Sequence, residues 1–137
     1  MALIVDASVA LKWVIEEEGS DLASQLVTTE DMAAPGLLFI ECANVLRTKA
    51  RRGQLTAEDA RAALDAIYAT PIRSISTRAH APAAQVIALE LGQTAYDCLY
   101  LAVALAERAV LITADESFFR AASAHPVYRA SARLLGA

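Results

Sequence analysis

The amino-acid sequence predicts a three-layer α/β/α domain with a mostly parallel central sheet. Short aliphatic runs (ALIV at 2–5, MAA at 32–34, VLI at 110–112) alternate with longer segments of helical period. That alternation implies parallel strands covered on both faces by helices. The length, 137 residues, allows one domain with a real core, residues 1–137, and is too short for two. An apolar content of 56% excludes a disordered chain.

Residues 2–6 (ALIVD) read as a buried strand ending on Asp6, with Ser8 as the N-cap of a helix over VALKWVIEEE. Gly19 and Ser20 break the chain and open a short helix over Asp21–Val27. A strand at Met32–Ala34 stops at the Pro35-Gly36 turn. A long helix follows from Leu37 to Arg52, with basic residues in its last turns and Gly53 just beyond it. Thr56 and Asp59 form a capping pair for AEDARAALDAIYA, which stops before Pro71. Ile72–Ile75 reads as a strand, and Ala81–Leu91 as a helix ending at Gly92. Thr94 caps a helix that is apolar all round and must therefore be buried on most sides. Ala109–Thr113 is a further strand, Glu116–Ser123 a helix, and the tail VYRASARLL after Pro126 a last strand.

No uncharged run approaches the roughly 20 residues that a membrane-spanning helix needs. MALIVDASVALKW lacks a basic n-region, so a cytoplasmic location is expected. Cys42 and Cys98 read as buried reduced thiols, because no paired Cys or His spacing suggests zinc. The formal charge is −4, from 16 acids against 12 bases. Setting four particular acids aside leaves 12 of each, so the rest of the surface is balanced and a nucleic-acid partner is not excluded.

Those four acids are the centre of the reading. Asp6 stands alone in ALIVDASVAL, Glu41 in GLLFIECANVL and Asp97 in TAYDCLYLAVALA, while Asp115 closes RAVLITAD. Burying a carboxylate costs several kcal/mol unless something pairs with it. No basic residue lies inside these apolar cores, which points to a hard divalent cation, Mg²⁺ or Mn²⁺, as the common partner. Asp6 and Asp115 each lie where a strand gives way to a helix, the edge at which open α/β sheets form their sites. Asp97 falls in the first turn of its helix, where the dipole favours an anion. Asn44 lies at i+3 from Glu41 on the same helical face. Ser8 and Thr113 are open to two readings: orienting hydroxyls beside the acids, or a helix cap and an ordinary strand residue.

The segments IVDASVALKW, FIECANVLR, TAYDCLYLAVA and LITADESFF, in this order and spacing, resemble the PIN-domain ribonucleases, in particular VapC-type toxins of bacterial toxin–antitoxin pairs. The resemblance spans essentially the whole chain. It implies that Asp6, Glu41, Asp97 and Asp115 are the acidic quartet that holds metal and carries catalysis. Asn44 and Thr113 would be the polar helpers, and Ser8 the early serine. It further implies a PIN-like fold and Mg²⁺-dependent endoribonuclease activity, in which activated water attacks in line and leaves a 5′-phosphate and a 3′-hydroxyl. The partners it implies are an RNA substrate, a VapB-like antitoxin lying across the active-site groove, and a second copy in a homodimer.

Arg47, Lys49, Arg51 and Arg52 follow Glu41 on its helix and read either as RNA phosphate contacts or as a solvated helix end. Trp13 reads as core more readily than as a base-stacking platform. His80 lies two residues before Pro82 and His125 directly before Pro126, and neither is expected to have a catalytic part. VALKWVI and LLFIECANVL carry apolar surface that suggests an interface.

Three rivals stand beside this reading. A haloacid-dehalogenase-like phosphatase needs Asp-x-Asp after the first strand and an approaching lysine, whereas here the second position is Ser8. A non-catalytic PIN-like RNA- or protein-binding module would use the acids only for a structural ion. The third pairs the four acids with arginines in buried salt bridges.

Overall fold

The computed structural model describes residues 2–137 and builds one five-stranded sheet. Strand β1 (Leu3–Val5) is fully apolar and ends at Asp6. Asp6 keeps an extended backbone and caps α1 (Ala7–Ala10), its carboxylate accepting from the Val9 N–H. The N-cap is therefore Asp6 and not Ser8. The helix expected over VALKWVIEEE is also broken: a 3₁₀ turn over Leu11–Trp13 follows α1, and the chain then leaves helical geometry. Val9, Ala10 and Leu11 are buried, and the Trp13 indole N–H donates to the Ala23 carbonyl at 2.9 Å. Val9 to Leu11 are thus internal packing, whereas Trp13, Val14 and Ile15 of VALKWVI stay half-buried against the core.

Helix α2 (Ser20–Thr29) and strand β2 (Met32–Pro35) come next, followed by α3 (Leu37–Arg51) and α4 (Ala57–Ala69). Gly53 just past α3 takes φ 74°, the left-handed conformation that closes a helix. Thr56 caps α4 by accepting from the Asp59 N–H. Strand β3 (Ile72–Ile75) leads into α5 (Thr77–Leu91), which begins a full turn earlier than Pro82 suggests. Ser76 accepts from the Ala79 N–H, and the Thr77 hydroxyl accepts from the Leu37 N–H. Ser76 thus caps α5 while Thr77 serves the start of α3, and Pro82 lies inside α5, where it forgoes the bond that its missing N–H would have made.

Helix α6 (Ala95–Glu107) is buried from Cys98 to Ala104, as its uniform apolarity requires. It packs on β1, β2 and α5, and on β4 (Val110–Thr113). Helix α7 (Glu116–Ser123) follows. The tail forms a 3₁₀ turn at Arg129–Ser131 and only a short strand, β5 (Ala132–Leu134). The longer strand expected from VYRASARLL is not formed, because Tyr128 turns into the core and its hydroxyl donates to Glu90 at 2.5 Å.

All four strand pairings are parallel, in the order β3-β2-β1-β4-β5, with helices on both faces. This is the three-layer α/β/α architecture. Ile4, Val5, Leu111 and Ile112 form its centre, at most 1% exposed. Among the described residues no single helix is long and apolar enough to cross a membrane.

Candidate active site

The strand order reverses direction between β1 and β4, and the crevice outside the carboxyl ends of these neighbours is where such sheets place their sites. Asp6 follows β1 directly, Thr113 is the last residue of β4, and Asp115 lies two residues further on as the N-cap of α7. Thr113 is completely buried. Its hydroxyl donates to Oδ2 of Asp6 and accepts from the Asp115 N–H at 3.1 Å. The Ser8 hydroxyl donates to Oδ1 of Asp6 at 2.5 Å and accepts from the Ala114 N–H at 2.9 Å. Each hydroxyl has one proton and gives it to Asp6, so the 3.4 Å approach of Ser8 to Thr113 is a contact and not a hydrogen bond. Together they lock the carboxylate across the β1–β4 seam.

Burial nevertheless pushes the Asp6 carboxyl up to about 6, with the negative charge of Asp97 adding to the rise. The three bonds from Ser8, Thr113 and Val9 pull the other way and lose. Asp97 sits in the first turn of α6, its backbone N–H donating to the Thr94 cap at 3.2 Å. Its own carboxyl is raised, first by burial and then by Asp115. Glu41, one turn into α3, is raised by burial and by Asp97. Asp97 is therefore the hub: its charge raises the carboxyls of Asp6 and Glu41, and the charge of Asp115 raises its own.

Asn44 is exposed and lines a groove with Glu41, Ala7, Ile40, Val45 and Tyr96. Arg47, Arg51 and Arg52 are exposed and Lys49 half-buried, leading away along and just beyond the far end of α3. Arg47 borders a separate groove with Arg61 of α4. Lys12 pairs with Glu17 at 3.2 Å and donates to the Glu18 carbonyl at 2.6 Å, so its charge is already engaged.

One residue in the site escaped the sequence reading. The phenol of Tyr100, 2% exposed, donates to Oε1 of Glu41 across the α3–α6 boundary. Its signal was its place three residues after Asp97, on the same helical face. Burial and the adjacent Glu41 push the phenol's acidity far out of range, so it stays a donor. Cys42 and Cys98 are free and buried, with thiols pushed up to about 12 and about 11, which leaves them inert packing groups.

Among the described residues, none of the four acids lies within 4.0 Å of a Lys, Arg or His nitrogen. That removes the salt-bridge reading. Nor do any three His, Cys, Asp or Glu side chains close into a ready-made metal cage among those residues. Carboxylates without imidazole among them suit Mg²⁺, which keeps several waters and takes few protein ligands, better than zinc.

The PIN domain family profile matches residues 3–124. A VapC ribonuclease of Mycobacterium bovis is 32% identical over 118 residues, 82% of this chain and 85% of that protein. A crystal structure from Pyrobaculum aerophilum superposes with a TM-score of 0.69 at 23% identity, covering 88% of this chain and 79% of that one. A toxin–antitoxin complex from Klebsiella pneumoniae contains a chain of the same fold, with a TM-score of 0.59 at 18% identity, covering 87% and 90%. With its acids at the β1–β4 switch point and a profile match over nearly its full length, this chain belongs to the PIN domain family, among the VapC-type ribonucleases.

Proposed function

We propose that this chain is a Mg²⁺-dependent endoribonuclease acting as the toxin of a toxin–antitoxin pair, with Mn²⁺ able to substitute. The observation that carries the reading is a set of four acids whose charges act on one another through Asp97, without a basic partner among the described residues. Asp6, Glu41, Asp97 and Asp115 would hold the cation. A divalent cation bound there supplies Lewis-acid charge that lowers the pKa of water and offsets the charge of a scissile phosphate.

The chain's own residues do the rest. Ser8 and Thr113 hold Asp6 oriented and favour its ionised form. Asp97 lies between the other acids electrostatically, so that neutralising it lowers the repulsion felt by Asp6 and Glu41. Asn44, exposed beside Glu41, is placed to meet RNA entering the crevice. Arg47, Lys49, Arg51 and Arg52 would contact backbone phosphates flanking the cut.

The phosphatase reading is disfavoured by Ser8, which donates to Asp6 where that chemistry requires a second acid, and by the engagement of Lys12 with Glu17 and Glu18. A VapB-like antitoxin would occlude the acidic crevice, as suggested by the fold shared with a chain of a toxin–antitoxin complex. A homodimer and a cytoplasmic location complete the proposal. The exposed Ile40 and Tyr96 make the groove beside Glu41 a natural place for a partner.

The test is cleavage of a mixed RNA pool in Mg²⁺ by the wild type, Asp6→Asn and Asp97→Asn. The wild type should leave 5′-phosphates and fall silent with chelator, and each variant should lose about 100-fold or more, the upper end for disturbing even an indirect metal contact. Survival of cleavage in either folded variant would show that the quartet does not carry catalysis, and a folded wild type that cuts no RNA in Mg²⁺ would favour the non-catalytic binding module.

A further inference from the structure

We infer that Tyr100 is a positioning residue for the metal site: its buried phenol fixes Oε1 of Glu41 and leaves Oε2 as the single oxygen offered to the cation. The inference rests on the proposed function and adds a residue and a geometry to it. Glu41 rises from α3, whereas Tyr100 and Asp97 stand three residues apart on α6. The phenol's recorded partner is Oε1 of Glu41. No hydrogen bond is recorded for Oε2 among the described residues. A glutamate side chain turns about three bonds, and a half-buried one on a helix flank would otherwise sample several rotamers. The phenol selects the one that brings the carboxylate from α3 toward the Asp97 side of the crevice.

A purely structural role is the competing account, since a buried tyrosine must satisfy its hydroxyl somewhere. The two accounts differ in what they move. Tyr100→Phe keeps the ring and its packing, and a half-buried Glu41 regains water for the lost donor. If Tyr100 positions Glu41, Mn²⁺ titrated into metal-free protein should bind about 10-fold more weakly in Tyr100→Phe, the lower end for losing an orienting partner of a metal ligand. The metal-free melting temperature should stay within a few degrees of wild type. The Mg²⁺ concentration for half-maximal RNA cleavage should rise by a similar factor, with much of the rate recovered at saturating metal.

A control closes the loop: in a Glu41→Gln background, adding Tyr100→Phe should not weaken Mn²⁺ binding further. Unchanged Mn²⁺ affinity in Tyr100→Phe, or full additivity with Glu41→Gln, overturns the inference while leaving the ribonuclease reading intact. A wild type that binds no Mn²⁺ and cuts no RNA overturns both.

Discussion

At Asp6 two effects of opposite sign act on one carboxylate. Three hydrogen bonds favour its ionised form, yet burial outweighs them and lifts its pKa from 3.8 to about 6. The folded protein therefore holds this proton more tightly than the unfolded chain does. Below pH 4 the group is neutral in both states and contributes nothing. As pH rises toward 6 the unfolded chain gives up its proton first, and stability falls. Above 6 the penalty is constant, on the order of 2–3 kcal/mol. Metal-free Asp6→Asn should thus melt several degrees above wild type at pH 7, and the advantage should vanish near pH 4. Thermal unfolding in chelator at the two pH values checks this, and a variant that melts lower than wild type at pH 7 contradicts it. The four acids were legible in the sequence because each interrupts an apolar run. Tyr100 was not, because an aromatic residue in an apolar helix looks like any other core residue until its hydroxyl is placed.

At the scale of elements, the sequence marked β2, β3, β4, α4 and α7 closely, because turn and capping residues bound them. It failed where tertiary contacts decide. The segment after Asp6 has a helical pattern, but Trp13 reaches Ala23 and Lys12 reaches Glu18, and these contacts end the helix early. The tail loses most of its strand because Tyr128 seeks Glu90. Asp115 carries a dual load: it caps α7 by accepting from the Phe118 N–H at 3.0 Å, and it faces Asp97. Asp115→Ala should lose about 1 kcal/mol with the cap, whereas Asp115→Asn should keep that stability. Both should lose metal-dependent cleavage alike. Urea unfolding beside an RNA assay separates the roles, and Asp115→Asn retaining full activity would show that the carboxylate serves only as a cap.

For the whole molecule, the parallel order β3-β2-β1-β4-β5 sets Asp6 and Asp115 at the adjoining ends of β1 and β4, and the charge of Asp97 on α6 acts on Asp6 and on Glu41 of α3. The net charge of −4 equals the charge of those four acids, so the negative balance is local and not a property of the entire surface. Metal binding should raise stability with the logarithm of the ratio of metal concentration to Kd, because the unfolded chain cannot assemble the site. The placement of Asp6 and Asp115 at neighbouring strand ends was readable from the sequence. That no three ligands are preassembled among the described residues was not readable, since it depends on rotamers rather than order along the chain.

Calorimetric titration of Mn²⁺ into metal-free wild type and Asp97→Asn at pH 7 tests the central claim most directly. Saturable binding by the wild type, abolished or weakened at least about 100-fold by removing the hub carboxylate, is the expected result. Equal binding by the two proteins, or none by either, would mean that these acids are not gathered for a cation.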